Sequence, residues 1–458
     1  MVQLTFGQLL KHMRLERGLS QSELAASVLT KAFVSLLERD AVRPSLSTLE
    51  HFAARLGCSL DSLLTALDSR ASQRILLAID RRAQTALGQQ RYAAAATGFS
   101  DLRRLASATG VPQAERSATL GLGEAFVGLR RLSEAEPLLH QAFDAGDDAF
   151  TQCRALRSLG YAAHIRGRLL EAVQYYRAAL ALIPALSQAA SVLHGELLAY
   201  LSTMLFRLGR FDESVAAATE SVPLFEAGAP GRVAEARMNL GFVHYSLGEY
   251  EKASVEYGLA LKIAEQYEDL QTIFRVRKNW AMVLIEAGQP RAALEHLTLS
   301  VTMARRLSDE HGECFALTEL ARCHLALGAL ADARATAEEA VGRSRASDRK
   351  DEVARASIVL GVVSFAEGRS QKALRYLTAA YQHCAQAEMT VEVILAGHAL
   401  ARIMSRCGSA AEAVAIHTGV LAALRRLSSQ EIYGVMQQTK TLDAAVDHAL
   451  EQEPVAAR

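Results

Sequence analysis

LGFVHYSLGEYEKAS, residues 240–254, holds the pattern that decides the fold. A small residue, Gly241, stands seven places ahead of a second glycine, Gly248. An aromatic residue, Tyr250, follows two places on, and Ala253 five places on. Working outward, related phrases return at Leu208-Gly209-Arg210-Phe211, Gly288-Gln289-Pro290, Leu327-Gly328-Ala329-Leu330, Gly368-Arg369-Ser370 and Gly408-Ser409-Ala410. The glycines Gly167, Gly209, Gly248, Gly288, Gly328, Gly368 and Gly408 are 42, 39, 40, 40, 40 and 40 residues apart. Arg130 and Gln90 carry the series back toward the N-terminus as weaker matches. The position five after each anchor is always small: Ala95, Ala135, Ala172, Ser214, Ala253, Ala293, Ala333, Ala373 and Ala413. Seven before it stand Gly123, Gly160, Ser202, Gly241, Ala281, Ala321, Gly361 and Ala401, each preceded by Leu or, once, by Trp280.

A self-similar period of this length marks stacked supersecondary units. The chain has only eight prolines and is rich in Ala, Leu, Glu and Arg, so the unit is helical. The anchor supplies a left-handed turn between two helices. The small residues let the two helices approach closely. The order resembles the tetratricopeptide repeat, stretched from about 34 residues to about 40. An all-α chain is expected, with about nine 40-residue helix pairs over residues 69–430 and helix A of each pair lining a concave surface. The first repeat, near Arg81–Ala95, is irregular and is expected to dock against what precedes it. Residues 431–458 read as a C-terminal capping helix and a frayed tail.

Residues 1–68 read as a separate five-helix unit. Thr5 can cap a first helix, and Ser20 with Glu23 forms a capping box for a second, whose buried side is Leu24, Ala25 and Val28. A third helix runs from Lys31 to Glu38, and a fourth, capped by Ser47 or Ser45, runs to Leu56. The stretch GLSQSELAASVLTKAFVSLLERDAVRPSLSTLEHFAARLG, residues 18–57, resembles the XRE family of helix-turn-helix DNA-binding domains. The resemblance implies that Lys31 and Ala32 face base edges, with Phe33, Ser35 and Leu36 along the groove. It implies that Gln21 bonds a phosphate or a neighbour on the recognition helix, and that Arg39 and Arg43 hold phosphates; Ser22 and Thr30 join this DNA-contacting set. Val34 and Leu37 belong to the core, and Glu38 ties the recognition helix to its own domain. Asp40 stands where the family usually has glycine. Lys11, Arg14, Arg17, Lys31, Arg39 and Arg43 outnumber the acidic residues here only modestly, so non-specific DNA affinity is expected to be modest.

Composition narrows the remaining classes. The 458 residues include 50 acidic and 50 basic ones, which excludes a strongly basic nucleic-acid coat protein. The six cysteines have no CxxC spacing, so neither a zinc knuckle nor a redox pair is indicated. No GxSxG, HExxH or Walker lysine loop occurs in proper context, and neither enzymatic activity, metal nor cofactor is expected. Met1–Gly7 lacks the basic and apolar segments of a signal peptide, no membrane span is read, and a cytoplasmic location is expected.

Only two asparagines occur in the chain, Asn239 and Asn279, one period apart. With the anchor as position 15, both occupy position 6 of helix A, a groove-facing position in the tetratricopeptide family. Chance would place the second in register in roughly 1 case in 40. Two carboxamides so placed can grip the main chain of an extended peptide. Groove-facing neighbours complete a candidate ligand set of Arg157, Tyr161, Tyr200, Asn239, Phe242, Arg275, Lys278, Asn279, Met282 and Arg322. An XRE-type domain followed by a long repeat array resembles the RRNPP group of quorum-sensing regulators. That resemblance implies a homodimeric transcription factor that binds a double-stranded DNA operator and is switched by a short signalling peptide. The competing reading is a scaffold in which the repeats hold a protein partner and the helix-turn-helix only localises it.

Overall fold

The computed structural model describes residues 5–146, 148–186, 190–407 and 409–427, together with 432, 435, 436, 439, 442–444, 446 and 447. No strand occurs among them. The chain divides into two compact units, Met1–Ala190 and Ser191–Arg458.

The first unit opens with five short helices: α1 (Phe6–Glu16), α2 (Gln21–Ala25), α3 (Lys31–Glu38), α4 (Leu46–Leu56) and α5 (Leu60–Leu64). Each is started by a side chain that takes an otherwise orphan backbone N–H. Thr5 forms a capping box with Gln8, and Ser20 with Glu23. Thr30, Ser45 and Ser59 cap the other three. The core between them is dry: Leu10, Leu24, Val34, Leu37, Leu49 and Phe52 are fully buried. Val28 departs from expectation, because α2 stops at Ala25 and Ala26 turns at φ 48°, which swings Val28 out to 67% exposure.

Three helix pairs complete the unit: α6 (Ser69–Gly88) with α7 (Tyr92–Thr109), α8 (Pro112–Gly128) with α9 (Leu132–Asp144), and α10 (Ala149–Ile165) with α11 (Leu169–Leu182). The first pair shares its apolar core with the five-helix bundle, through Leu63, Leu64, Ile75, Leu76, Phe99 and Leu102. Arg82 reaches Glu50 of α4 at 3.2 Å, and Arg104 pairs with Asp61 of α5.

The second unit holds six pairs: α12 (Ser191–Arg207) with α13 (Phe211–Gly228), α14 (Val233–Ser246) with α15 (Tyr250–Gln266), α16 (Leu270–Glu286) with α17 (Pro290–Leu307), α18 (Glu310–Ala326) with α19 (Leu330–Ala346), α20 (Lys350–Ala366) with α21 (Ser370–Gln386), and α22 (Thr390–Arg406) with α23 (Ala410–Leu424). The described anchor glycines all have positive φ, from 71° to 76°. Gln90 and Arg130 adopt the same left-handed conformation at φ 57° and 62°. At each such turn the third N–H beyond the helix returns to a carbonyl of its last turn, as Glu249 does to His244 at 3.0 Å and Gln289 to Leu284 at 2.7 Å. The small residues five after the anchor are all buried, at 0–1% exposure. A Cβ on Gly160 would lie 2.6 Å from the Tyr176 ring, and one on Gly361 2.7 Å from Leu377. Where both small positions are serine, Ser202 and Ser214 each donate to the other's carbonyl at 2.8 Å.

A second left-handed position recurs at Glu268, Ser308, Asp348 and Glu388, in the turn leading to the next pair. The expected C-terminal helix and tail over 431–458 lie mostly outside the described residues. Val435, Leu442 and Val446 of that segment join the apolar cluster of the last pairs. Gly408 also lies outside the described residues.

Candidate DNA-reading face and ligand groove

The recognition helix α3 is held from three sides. Val34 and Leu37 enter the core. Glu38, at its C-terminal end, takes Arg14 Nε at 2.5 Å and Nη2 at 3.1 Å, and Gln21 Nε2 at 2.8 Å. Burial raises the Glu38 carboxyl, but the Arg14 and Gln21 hydrogen bonds outweigh it and hold the group below the usual carboxylate range. Arg14 Nη1 also donates to the Leu19 carbonyl at 2.7 Å, so its guanidinium joins α1, the turn before α2, and α3. Asp40 has φ 55°, the left-handed conformation that glycine favours and that Asp tolerates better than most residues. Its carboxylate accepts the Gly7 N–H at 2.8 Å and the Thr5 hydroxyl at 2.5 Å, filling the N-terminus of α1 with a negative charge.

These contacts alter the expected DNA set. Arg14 is buried and neutralised, so it is a clamp and not a phosphate ligand. Gln21 takes the recognition-helix role of the two that the resemblance implied. Arg43 is paired with Asp68, and Arg39 Nε donates to the Ser35 carbonyl at 3.1 Å. Phe33 leans on the core. Thr30 caps α3 by accepting the Phe33 N–H at 3.1 Å. Ser22, Thr30, Lys31, Ala32 and Arg39 are exposed, while Ser35 and Leu36 are half-buried. Lys11, Arg17, Lys31 and Arg39 face outward with no ion pair among the described residues.

The candidate ligand residues fall in both units. In the first, Arg157 and Tyr161 lie on α10. Glu124 of α8, nearly buried, takes Arg154 at 2.5 Å and Arg157 at 3.1 Å, so both cations are already met. Tyr200, Asn239, Phe242, Arg275, Lys278, Asn279, Met282 and Arg322 lie in the second unit, on α12, α14, α16 and α18. Asn239 and Asn279 are half-buried, and neither carboxamide makes a hydrogen bond to a described residue. Phe242, 45% exposed, packs its ring edge on Phe206 at 5.6 Å. Arg275 approaches Glu235 at 3.6 Å. Arg322 differs from an available groove cation: it is buried, and takes Glu286 at 2.9 Å and Glu319 at 2.7 Å.

Met282 and Arg322 line a small pocket of about 40 Å³ with Phe315, Thr318, Glu319, Arg355, Ile358, Val359, Leu395 and Leu442. Phe315 and Leu395 stand at the repeat position that Arg154, Arg275 and Arg355 fill in other repeats. The apolar members of the same position are what build the pocket wall. Lys278 Nζ lies 4.5 Å from the Phe315 ring and 5.8 Å from the Phe274 ring. Burial, then Arg275, pushes this ammonium below its ordinary range. Glu352, at the start of α20, is 1% exposed, and neither carboxylate oxygen has a hydrogen-bond partner among the described residues. Its nearest cation is Arg355 at 3.7 Å, and burial pushes its carboxyl up to about 7. No cluster of His, Cys, Asp and Glu suited to a metal occurs among the described residues. No helix among them is long and apolar enough to cross a membrane.

Comparison with known proteins bears on both faces. The MalT-like TPR region profile matches residues 82–410, and a helix-turn-helix profile matches residues 10–63. The regulatory protein AfsR of Streptomyces griseus is 32% identical over 115 residues, 25% of this chain and 12% of AfsR. The immunity repressor protein of Bacillus phage phi105 is 40% identical over 62 residues, 13% of this chain and 43% of the repressor. The chain therefore spans less than half of either relative. Apo RapI shares the fold with a TM-score of 0.65 at 14% identity, over 77% of this chain and 98% of RapI. The apo quorum sensor NprR of B. thuringiensis does so with a TM-score of 0.61 at 13% identity, over 76% of this chain and 98% of NprR. A Rap protein complexed with competence and sporulation factor gives a TM-score of 0.55 at 12% identity, over 78% and 99%.

Proposed function

This chain belongs to the MalT-like TPR family and carries a helix-turn-helix domain ahead of its repeats, and from that premise we propose that it is a peptide-responsive transcriptional regulator. The observation that carries the ligand half is the pair of carboxamides, Asn239 and Asn279, that have no hydrogen-bond partner among the described residues and stand at one repeat position on successive A helices. A carboxamide offers both a donor and an acceptor, which matches the main chain of an extended peptide. The outward Lys31, Ala32 and Arg39 supply a modest DNA-reading face, with Ser22 and Thr30 at its border. NprR, which shares the fold, is named a quorum sensor, and a Rap protein of this fold is complexed with competence and sporulation factor; both support the reading. A homodimer acting in the cytoplasm on a double-stranded operator follows from it. Switching requires that the peptide bind one curvature of the array better than another.

The test is affinity capture of sheared genomic DNA by the full chain, paired with native mass spectrometry of the protein from its own cells. Recovery of discrete operator fragments, weakened several-fold by Lys31→Ala, is expected, as is a bound mass of a few hundred to about a thousand daltons that Asn279→Ala loses. Recovery of DNA without sequence preference, together with a co-purifying protein and no small bound mass, would replace this reading with a partner-binding scaffold.

A further inference from the structure

Five cations line the inner positions of the A helices in the second unit: Arg275, Lys278, Arg322, Arg355 and Arg402. Four are met by carboxylates of the chain itself. Arg275 meets Glu235, Arg322 meets Glu286 and Glu319, Arg355 meets Glu392 at 2.8 Å, and Arg402 meets Asp443 and Asp447. Lys278 has no ion pair among the described residues. Its ammonium rests on the faces of Phe315 and Phe274.

Three carboxylates lie near enough to act on Lys278 electrostatically; none forms an ion pair with it, and two are committed elsewhere. Asp309 caps α18 by accepting the Gly312 N–H at 2.9 Å. Glu319 is held by Arg322 at 2.7 Å. Glu352 has Arg355 as its nearest cation. A partly desolvated ammonium is costly to keep without a counter-ion, and ring faces recover only part of that cost. Asn279 follows Lys278 on the same helix, and Phe315 is a wall both of the Lys278 niche and of the apolar pocket.

We infer that Lys278 receives a carboxylate of the bound peptide while the pocket sharing Phe315 takes a neighbouring apolar side chain. This rests on the peptide reading above and specifies the class of peptide, an anionic one. The carboxylate belongs either to the peptide's C-terminus or to an Asp or Glu side chain.

Three pools of random heptapeptides separate these cases on the full chain, with retained peptides quantified by mass spectrometry. One pool has a free C-terminal acid and no Asp or Glu. A second has a C-terminal carboxamide and contains Asp and Glu. A third has the carboxamide and neither acidic residue. The expected result is that one carboxylate-bearing pool is retained about ten- to a hundredfold better than the neutral pool, the size of a charge-assisted hydrogen bond. Which pool wins identifies the source. Lys278→Gln should erase the preference and Lys278→Arg should keep most of it, neither lowering the unfolding midpoint. Equal retention of the neutral pool, or a preference that survives Lys278→Gln, overturns the inference and leaves peptide binding standing. No retention from any pool by the unsubstituted chain overturns the peptide reading and this inference with it.

Discussion

Glu38 and Glu352 are both acidic residues buried in helical surroundings, and they are treated in opposite ways. Glu38 in the helix-turn-helix receives two bonds from Arg14 and one from Gln21, and stays charged. Glu352 in the repeats receives none from a described residue, and its carboxyl rises to about 7. The same contrast runs through the amides: Gln21 is used internally, while Asn239 and Asn279 are left open. In the helix-turn-helix, Arg14, Gln21 and Glu38 close on one another. The repeat unit leaves several polar groups unfilled, and an unfilled polar group is either a cost or a place for a ligand.

The largest effect that can break this contrast is at Arg14. Arg14→Ala leaves Glu38 buried with only Gln21, and removing one partner of a buried pair costs about 3–5 kcal/mol. The helix-turn-helix should unfold at markedly lower denaturant while the repeats hold, seen as a separate first transition by hydrogen exchange resolved along the chain. A change below about 1 kcal/mol would mean the clamp is not what fixes α3.

Glu352→Gln is the counterpart in the repeats, and its effect has the opposite sign. The Glu352 carboxyl titrates higher in the folded chain than in the unfolded one. Between the ordinary carboxylate range and about pH 7 the folded chain therefore binds more protons, and stability falls as pH rises through that window. Glu352→Gln should remove this slope and leave the variant more stable at pH 8 by on the order of 2–3 kcal/mol. Denaturant unfolding at pH 5 and pH 8 checks it; parallel behaviour of variant and parent would show that the group is satisfied after all.

The smallest expected change in stability is at the open amides. Asn239→Ala and Asn279→Ala remove no internal hydrogen bond and should shift the unfolding midpoint by less than about 0.5 kcal/mol. Peptide retention should nevertheless fall. Destabilisation beyond 1 kcal/mol would place these amides with Gln21, as structural residues.

Much of this was legible in the sequence because it depends on local chemistry. The cap at Thr5, the capping box at Ser20, the limits of α3, the left-handed anchors and the nine small buried positions each follow from a few neighbouring residues. Gln90 and Arg130 were recognisable only by counting, since neither is a residue that favours that conformation. What stayed hidden depends on residues far apart in the chain. Arg322 looks like a groove cation until Glu286, 36 residues earlier, is seen to take it. Arg14 counts toward the basic balance of the domain until Glu38 is placed beside it. Val28 has helical spacing from Leu24, but the helix ends too soon to use it. Phe315 was visible at position 2, yet it becomes informative only once Lys278 rests on its face.

The two left-handed turns per repeat over residues 248–388 have a consequence for how such a chain changes length. One period of 40 residues contains both turns, the glycine at the anchor and the polar residue at Glu268, Ser308, Asp348 or Glu388. Loss or gain of one whole period returns every later side chain to its former face. The array can therefore grow or shrink in quanta, adding floor to the groove without redrawing what is already there, whereas a deletion of a few residues inside a helix would turn everything beyond it by about 100° per residue.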